Sequence, residues 1–479
     1  MFNAEIYQNR RAALRNKVGD GLILILGNKE APANYPDNTY KFRQDSSFLY
    51  FFGLNQPGFA GVIDVESGQE IIFGNDVDMD DIIWMGPQPT VREQAALVGV
   101  KESRPFSKLT ELMQQAVASK RKVHFLPPYR YDNMMLLEEL LGIRASIVKQ
   151  YASLELVKAV VALRSVKGPE EIIEIEDACN AGYEMHTAAM RLCKPGVKEQ
   201  YIAGVLDGIA ASYGSMTSFA TILSQNGETL HNHDHSQILT TGRMMLTDAG
   251  AENINNYCSD FTRTIPVGGK FDNRQKDIYN IVLSCHDKAI EFARPGTTYQ
   301  QVHLSVCKVL AQGLKELGLM KGNIDDAVAA GAHAMFMPHG LGHMMGLDVH
   351  DMEDLGQVYV GYDEETRPIN QFGTSSLRMG RRLQEGFVIT DEPGCYFIPA
   401  LIDKWHAEKM HTDFLCYDAI EKYKDFGGIR LEDDILITPE GSRLMKMLSI
   451  IHRRTGCPLW ARVCSRVSFI SSLVGFGLE

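Results

Sequence analysis

His339-Gly340-Leu341-Gly342-His343-Met344-Met345-Gly346-Leu347-Asp348-Val349-His350-Asp351 puts three imidazoles into one short stretch, beside glycines that let a ligand or metal approach the backbone. The stretch reads as part of a metal site, not as packing. Four carboxylates stand in comparable settings around it: Asp248 in Thr-Asp-Ala-Gly, Asp260 in Ser-Asp-Phe-Thr-Arg-Thr, Glu392 in Asp-Glu-Pro-Gly and Glu432 in Arg-Leu-Glu-Asp-Asp. Together they suit one dinuclear centre.

Outward from this stretch, Met244 to Ala249 and Tyr257 to Val267 read as strands around the turn-forming Asn253-Ile254-Asn255-Asn256. A β-hairpin there would bring Asp248 opposite Asp260, with Asp260, Thr262 and Thr264 alternating onto one face. Two facing carboxylates raise each other's pKa, and a cation removes that conflict. Glu392 follows the apolar run Gly386-Phe387-Val388-Ile389-Thr390 and precedes Pro393-Gly394, which places it at a strand end where the chain turns. A strand through Arg430, Glu432 and Asp434 would point all three to one side. Taken singly, each acid is as easily a turn residue or half of an ordinary ion pair.

Upstream, Arg164-Ser165-Val166-Lys167-Gly168-Pro169-Glu170-Glu171 supplies a breaker, then Pro and two acids suited to the first turn of a helix. A second domain begins here. Apolar positions Ile172, Ile175, Ala178, Cys179, Gly182, Met185 and Ala189 continue at helical spacing, and a second helix runs from about Lys198 to Ser212. The part before the breaker mixes strand-like runs, Gly21 to Gly27 and Phe59 to Val65, with helical stretches at Ser107 to Ala118 and Tyr131 to Leu141. The fold class is therefore α/β (α+β), with domains over 1–165 and 166–445 and an atypical tail over 446–479.

Length and composition agree: 479 residues at 45% hydrophobic content exceed what one core holds and point to about two or three domains. A formal net charge of -12 argues against nucleic acid or an anionic membrane as partner, since both want clustered Lys and Arg. The N-terminus lacks the apolar core of a secretory signal, and no window reaches the roughly 18 apolar residues of a membrane span. Nine scattered cysteines without a C-x-x-C pair are no disulfide framework. A soluble, cytoplasmic protein with reduced thiols is expected.

The joint pattern resembles the pita-bread metallopeptidases, specifically their Xaa-Pro aminopeptidase and prolidase branch. Asp248 matches the Asp of the family's D-A-G strand, Asp260 that of D-x-T-R-T, His343 the second His of H-G-x-x-H, Glu392 the Glu of E-P-G and Glu432 that of R-x-E-D. The resemblance implies a pita-bread catalytic domain in which these five hold two divalent metal ions. Asp260 and Glu432 would bridge them, Asp248 would complete one site, and His343 with Glu392 the other. Oxygen-rich ligation without thiolate favours manganese, with cobalt or zinc as other occupants. A metal-bridging water would be the nucleophile.

The family's further histidines match His231 and His350, which would donate to the substrate carbonyl. His233 and His235 remain alternatives to His231. Glu392 would also take the water's proton and pass it to the leaving nitrogen. His339, Tyr396 and Arg430 are candidate substrate-pocket residues, able to select the rigid tertiary amide of an Xaa-Pro bond by shape.

Phe42-Arg43-Gln44-Asp45-Ser46-Ser47-Phe48-Leu49-Tyr50-Phe51-Phe52-Gly53 resembles the aminopeptidase P N-terminal domain. It favours an aminopeptidase releasing the residue before a penultimate proline over a prolidase restricted to dipeptides. A non-catalytic pita-bread binding module is the remote alternative, opposed by retention of all five ligands. Ile83-Trp84-Met85-Gly86 resembles a family segment whose Trp reaches a neighbouring subunit's site, although Trp84 also reads as an ordinary packed residue. The family commonly forms homodimers or homotetramers. Asp248 and Asp260 stand one residue further apart than expected of close relatives, which puts an insertion in the turn at Asn253 to Asn256. The tail after Met445, basic in an otherwise acidic chain, departs from the family pattern and reads as an artefact, an extension or an interaction segment.

Overall fold

A computed structural model describes residues 1–445, so the tail over 446–479, and every reading of it, lies outside the described residues. Two units are present among the described residues, one comprising Met1–Ser165 with Met352–Tyr359, the other Val166–Asp351 with residues 360–445.

The first unit is built on a five-stranded mixed sheet in the order Glu102–Arg104, Glu70–Phe73, Ala60–Asp64, Leu22–Leu26, Val123–His124. The three central strands are antiparallel and the two flanking ones parallel to their neighbours. Leu22, Leu24, Val62, Ile71 and Phe73 alternate onto one face and meet Leu109, Met113, Leu137 and Leu140 of the helices Ser107–Ala118 and Tyr131–Leu141. Removing each such side chain from water contributes about 1.5–3 kcal/mol, which is what holds the helices on the sheet.

In the second unit, Pro169 occupies the first turn of the 24-residue helix Pro169–Leu192, where a missing N–H costs nothing. The Glu171 carboxylate accepts the Gly168 N–H at 3.0 Å. This helix and Glu199–Ser212 pack on a three-stranded antiparallel sheet, Ile222–Ser224, Met244–Ala249 and Phe261–Pro266, through Met185, Ile202, Leu206, Leu223 and Met245. A second helix pair, Asn273–Phe292 and Tyr299–Glu316, accompanies a second group of strands: Val388–Asp391, Asp433–Thr438 and Gly441–Leu444 in one sheet, Gly394–Tyr396 and Gly428–Arg430 in another.

The halves repeat each other. Cys193-Lys194-Pro195-Gly196 ends one long helix and Ala293-Arg294-Pro295-Gly296 the other, with the glycines at φ +86° and +88°. Gly196 N–H donates to the Leu239 carbonyl and Leu239 N–H to Val197; Gly296 donates to Leu383 and Leu383 to Thr297. Asp248 stands nine positions beyond Leu239, and Glu392 nine beyond Leu383. The strands carrying these two acids are thus counterparts. Among the described residues no helix is long and apolar enough to cross a membrane.

Candidate metal centre

Asp248 lies inside a continuous strand, opposite Ile222 on one side and Thr262 on the other. The expected hairpin forms, but its register differs from Asp248 facing Asp260. Asp260 sits just before its strand, and its N–H is taken by Asp434 Oδ2 at 3.0 Å instead of by a ladder partner. Since Asp260 and Thr262 alternate onto one face, both aspartates still reach the same side.

Glu392 and Glu432 occupy breaks. Val388–Asp391 pairs with Asp433–Thr438, and Gly394–Tyr396 with Gly428–Arg430, leaving Glu392-Pro393 against Leu431-Glu432. Pro393 has no N–H to continue a ladder, so the chain bends there. Glu432 exchanges backbone bonds with Thr262, and the Thr262 hydroxyl donates to Glu432 Oε2 at 2.6 Å. Arg430 ties the pieces together: its guanidinium donates to Asp248, to Thr262 Oγ1 at 3.0 Å and to the Tyr396 hydroxyl at 2.9 Å.

His343 is held in one tautomer. Its Nδ1–H donates to the Met344 carbonyl at 3.0 Å, which turns the Nε2 lone pair to Asp260 Oδ2 at 3.4 Å. One ligand atom each from Asp260, His343 and Glu432 falls within 4.8 Å of the others. All five sequence-derived ligands line a single cleft of about 590 Å³, with His231, His339, His350 and Arg430. His233 lines it too, whereas His235 turns its Nδ1 to the Leu223 carbonyl at 3.0 Å.

Electrostatically the acids are in conflict without a cation. Burial pushes the Asp260 and Glu432 carboxyls well up, and the neighbouring carboxylates push further. Glu392 rises to about 7, by burial and by Asp248, against the pull of Arg430 and Arg378. Asp248 Oδ1 and Asp260 Oδ1 are buried with no hydrogen-bond partner. Buried oxygens of this kind, aimed into one cleft with an imidazole lone pair, fit a pair of divalent cations.

The other candidates are distributed as follows. Tyr396 is fully buried behind the wall, its hydroxyl accepting from Arg430 and standing 3.0 Å from His339 Nε2. His339 Nδ1 donates to Gly340 O at 2.7 Å, and burial, then Arg430, lowers this imidazole to about 3, so it stays neutral. His350 meets His343 edge to face, ring centroids 4.1 Å apart and planes inclined by 63°. Trp84 belongs to the first unit, on the helix Met79–Met85, and is 86% exposed.

Sequence reading missed Arg378, a second cation in the cleft, and the layer beneath the acids. There Arg263 donates to the Thr262 and Glu432 carbonyls and to Asp433 Oδ1 at 2.7 Å, while His286 Nε2 lies 3.0 Å from Asp433 Oδ2. Arg263 stands in the Ser-Asp-Phe-Thr-Arg-Thr stretch and Asp433 in Arg-Leu-Glu-Asp-Asp, so both were visible as neighbours of ligands. Nothing local marked Arg378 or His286.

Residues 174–439 match the model of metallopeptidase family M24, and residues 7–124 that of the aminopeptidase P N-terminal domain. The chain is 30% identical over 447 residues to Xaa-Pro aminopeptidase of Escherichia coli strain K12, covering 91% of this chain and 93% of that one. It is 29% identical over 451 residues to Xaa-Pro dipeptidase of Homo sapiens, covering 88% and 85%. Among solved structures, Escherichia coli aminopeptidase P with the inhibitor Pro-Leu superposes with a TM-score of 0.78 at 28% identity, over 98% of this chain and 99% of that one. Proline aminopeptidase P II from Yersinia pestis gives 0.74 at 29% identity, over 93% and 95%.

Proposed function

Because the chain belongs to metallopeptidase family M24 and carries an aminopeptidase P N-terminal domain, we propose that this metallo-exopeptidase releases the N-terminal residue from peptides with proline in second position. The observation that carries the reading is the convergence of Asp248, Asp260, His343, Glu392 and Glu432 on one cleft, with orphaned oxygens on both aspartates.

These five residues would hold two divalent cations, and their four carboxylates favour manganese over softer ions. Bound there, the pair supplies Lewis-acid polarisation of the scissile carbonyl and a water acidic enough to attack near neutral pH. Asp260, Glu432, Asp248, His343 and Glu392 would together supply the oxygens and the one imidazole nitrogen that hold the pair.

Glu392 accepts the attacking water's proton and returns it to the proline nitrogen as the C–N bond breaks. His231 and His350 donate to the carbonyl oxygen as charge develops on it. Arg430 holds Asp248 in place and, through Tyr396, sets the His339 ring, which faces the proline pocket. Phe219, Ile222 and Leu230 give that cleft apolar surface for the ring. Trp84, exposed beside Ile83 and Met85, fits a contact made across a homodimer or homotetramer. No disulfide joins the described cysteines to one another, in keeping with a cytoplasmic location.

A second reading, a dipeptidase, has support in the 29% identity to the human Xaa-Pro dipeptidase. Incubation of the manganese-loaded protein with Gly-Pro and with an Xaa-Pro-Xaa-Xaa tetrapeptide separates the two. Release of the first residue from the tetrapeptide is expected. Cleavage of Gly-Pro alone makes the protein a dipeptidase, and silence on both overturns the peptidase reading.

A further inference from the structure

Away from the cleft, a second group of metal-binding side chains closes on itself. His303 and Cys307 are four residues apart on the buried face of the helix Tyr299–Glu316, and His333 comes from the 3-10 turn Ala332–Met335. One ligand atom from each lies within 4.8 Å of the others. His303 Nε2 is 3.5 Å from Cys307 Sγ, and the two imidazole rings stand 6.5 Å apart, tilted by 69°.

All three side chains are fully buried, yet His303 Nδ1 and both ring nitrogens of His333 have no hydrogen-bond partner. One His333 nitrogen must carry a proton, so a buried donor and a buried acceptor go unmet on a single ring, which core histidines avoid. Burial lowers His303 to about 3 and His333 to about 4, so both rings are neutral and able to ligate.

From this geometry we propose that His303, Cys307 and His333 form a separate mononuclear metal site, three-coordinate and suited to Cu(I). The donor set decides the ion. The thiolate is a soft ligand and the two imidazoles are borderline ones that suit copper, unlike the hard carboxylates of the cleft. Besides the Cys307 thiol, which burial pushes up, the ionisable groups acting on the two rings are histidines: His333 and His339 on His303, and His411 on His333. As Cu(I) enters, the S–H bond of Cys307 gives way to a Cu–S bond and the proton leaves. The thiolate cancels the single positive charge, and a neutral complex is what an apolar interior accepts, whereas Zn²⁺ would leave one charge uncompensated. An ion here would pin the turn that leads into His339 to the helix Tyr299–Glu316.

The test uses the full-length protein with its cleft loaded with manganese, titrated anaerobically against the Cu(I) complex of bathocuproine disulfonate. The unsubstituted chain is expected to withdraw one equivalent of Cu(I). Cys307→Ala and His333→Gln should each weaken that uptake at least 100-fold, and Cys285→Ala, which alters a neighbouring buried thiol, should leave it unchanged. X-ray absorption at the copper edge of the unsubstituted protein, which does not depend on any variant folding, should show one sulfur and two nitrogens. Failure to compete for Cu(I), uptake unaffected by either ligand variant, a different copper shell, or uptake of Zn²⁺ in preference to Cu(I) would each overturn the proposal.

Discussion

The two helix pairs of the second unit end alike and lead to counterpart strands, yet those strands are finished differently. In the first half the Asp248 strand is flanked on both sides, and Ser224 pairs with Leu246. In the second, the place of that outer strand is taken by the histidine loop: Leu341 accepts the Glu392 N–H, Met344 bridges Ile389, and His343 stands against Thr390 as Ser224 does against Leu246. One half thus presents a short acid from an unbroken ladder. The other presents a longer acid from a proline break, together with an imidazole. Repetition gives a cleft with acids from both sides, and the departure from repetition gives it the longer acid and the imidazole, the acid being the proton carrier proposed above.

Removing the counterpart acids in turn has the largest expected consequences. Glu392→Ala should lower kcat by about 10³-fold or more, as expected for loss of a ligand that is also the proton carrier. Asp248→Ala should act first through metal content and recover partly in excess manganese. Steady-state kinetics beside metal analysis distinguishes them; a fully metallated Glu392→Ala protein of near-normal activity would remove the proposed asymmetry.

Stripping the metal comes next. An ion that binds only the folded chain stabilises it by about 2.7 kcal/mol at a hundred times its Kd, so chelation should lower Tm visibly. The metal-free protein should also acquire a characteristic pH trend. Glu392 titrates near 7 against an ordinary value of 4.5, and Asp260 and Glu432 are raised as well. The folded state then holds protons that the unfolded chain has released. Stability is full below about 4.5 and falls as pH rises through about 7. Manganese, by displacing those protons, should flatten the trend. Melting curves at pH 5 to 8 with and without metal test the sign, and a metal-free protein that gains stability over this range would show the acids are not in conflict.

Arg430→Lys probes the tie between the halves. The guanidinium reaches Asp248, Thr262 and Tyr396 at once, and a lysine ammonium cannot hold that fork. Metal affinity should fall by about 10- to 100-fold, the usual cost of a displaced outer partner. Isothermal titration with manganese measures it, and unchanged affinity would mean Asp248 is positioned by its ladder alone.

How far the sequence carried this picture depends on locality. The Asp248 strand and the helices at Ser107, Tyr131 and Pro169 were readable because periodicity, breakers and turn residues are short-range signals. Residues 339–351 announced a ligand by crowding histidines among glycines. The Asp260 register was not readable: Asp434, 174 positions away, captures its N–H and draws it off the ladder. The cluster of His303, Cys307 and His333 was equally hidden, since an i, i+4 pair on a buried helix face looks like core until the turn carrying His333 is seen to close on it.

The smallest expected effect tests whether the halves are equivalent where they should be. Gly196 and Gly296 end corresponding helices at φ +86° and +88°, and a Cβ at either would meet nothing within 4 Å. No clash contributes, so Gly196→Ala and Gly296→Ala should each cost only the left-handed backbone penalty, about 1–2 kcal/mol. Because the two sites also share their bonding pattern to Leu239 and Leu383, the losses should agree within about 0.5 kcal/mol and, being far apart in the chain with no shared partner, should add in the double variant. Urea unfolding of the three proteins settles it. Unequal losses would mean that the histidine loop imposes its own demand on the second helix ending; equal and additive losses would confine the asymmetry to the strands and the loop that bear the acids and the imidazole.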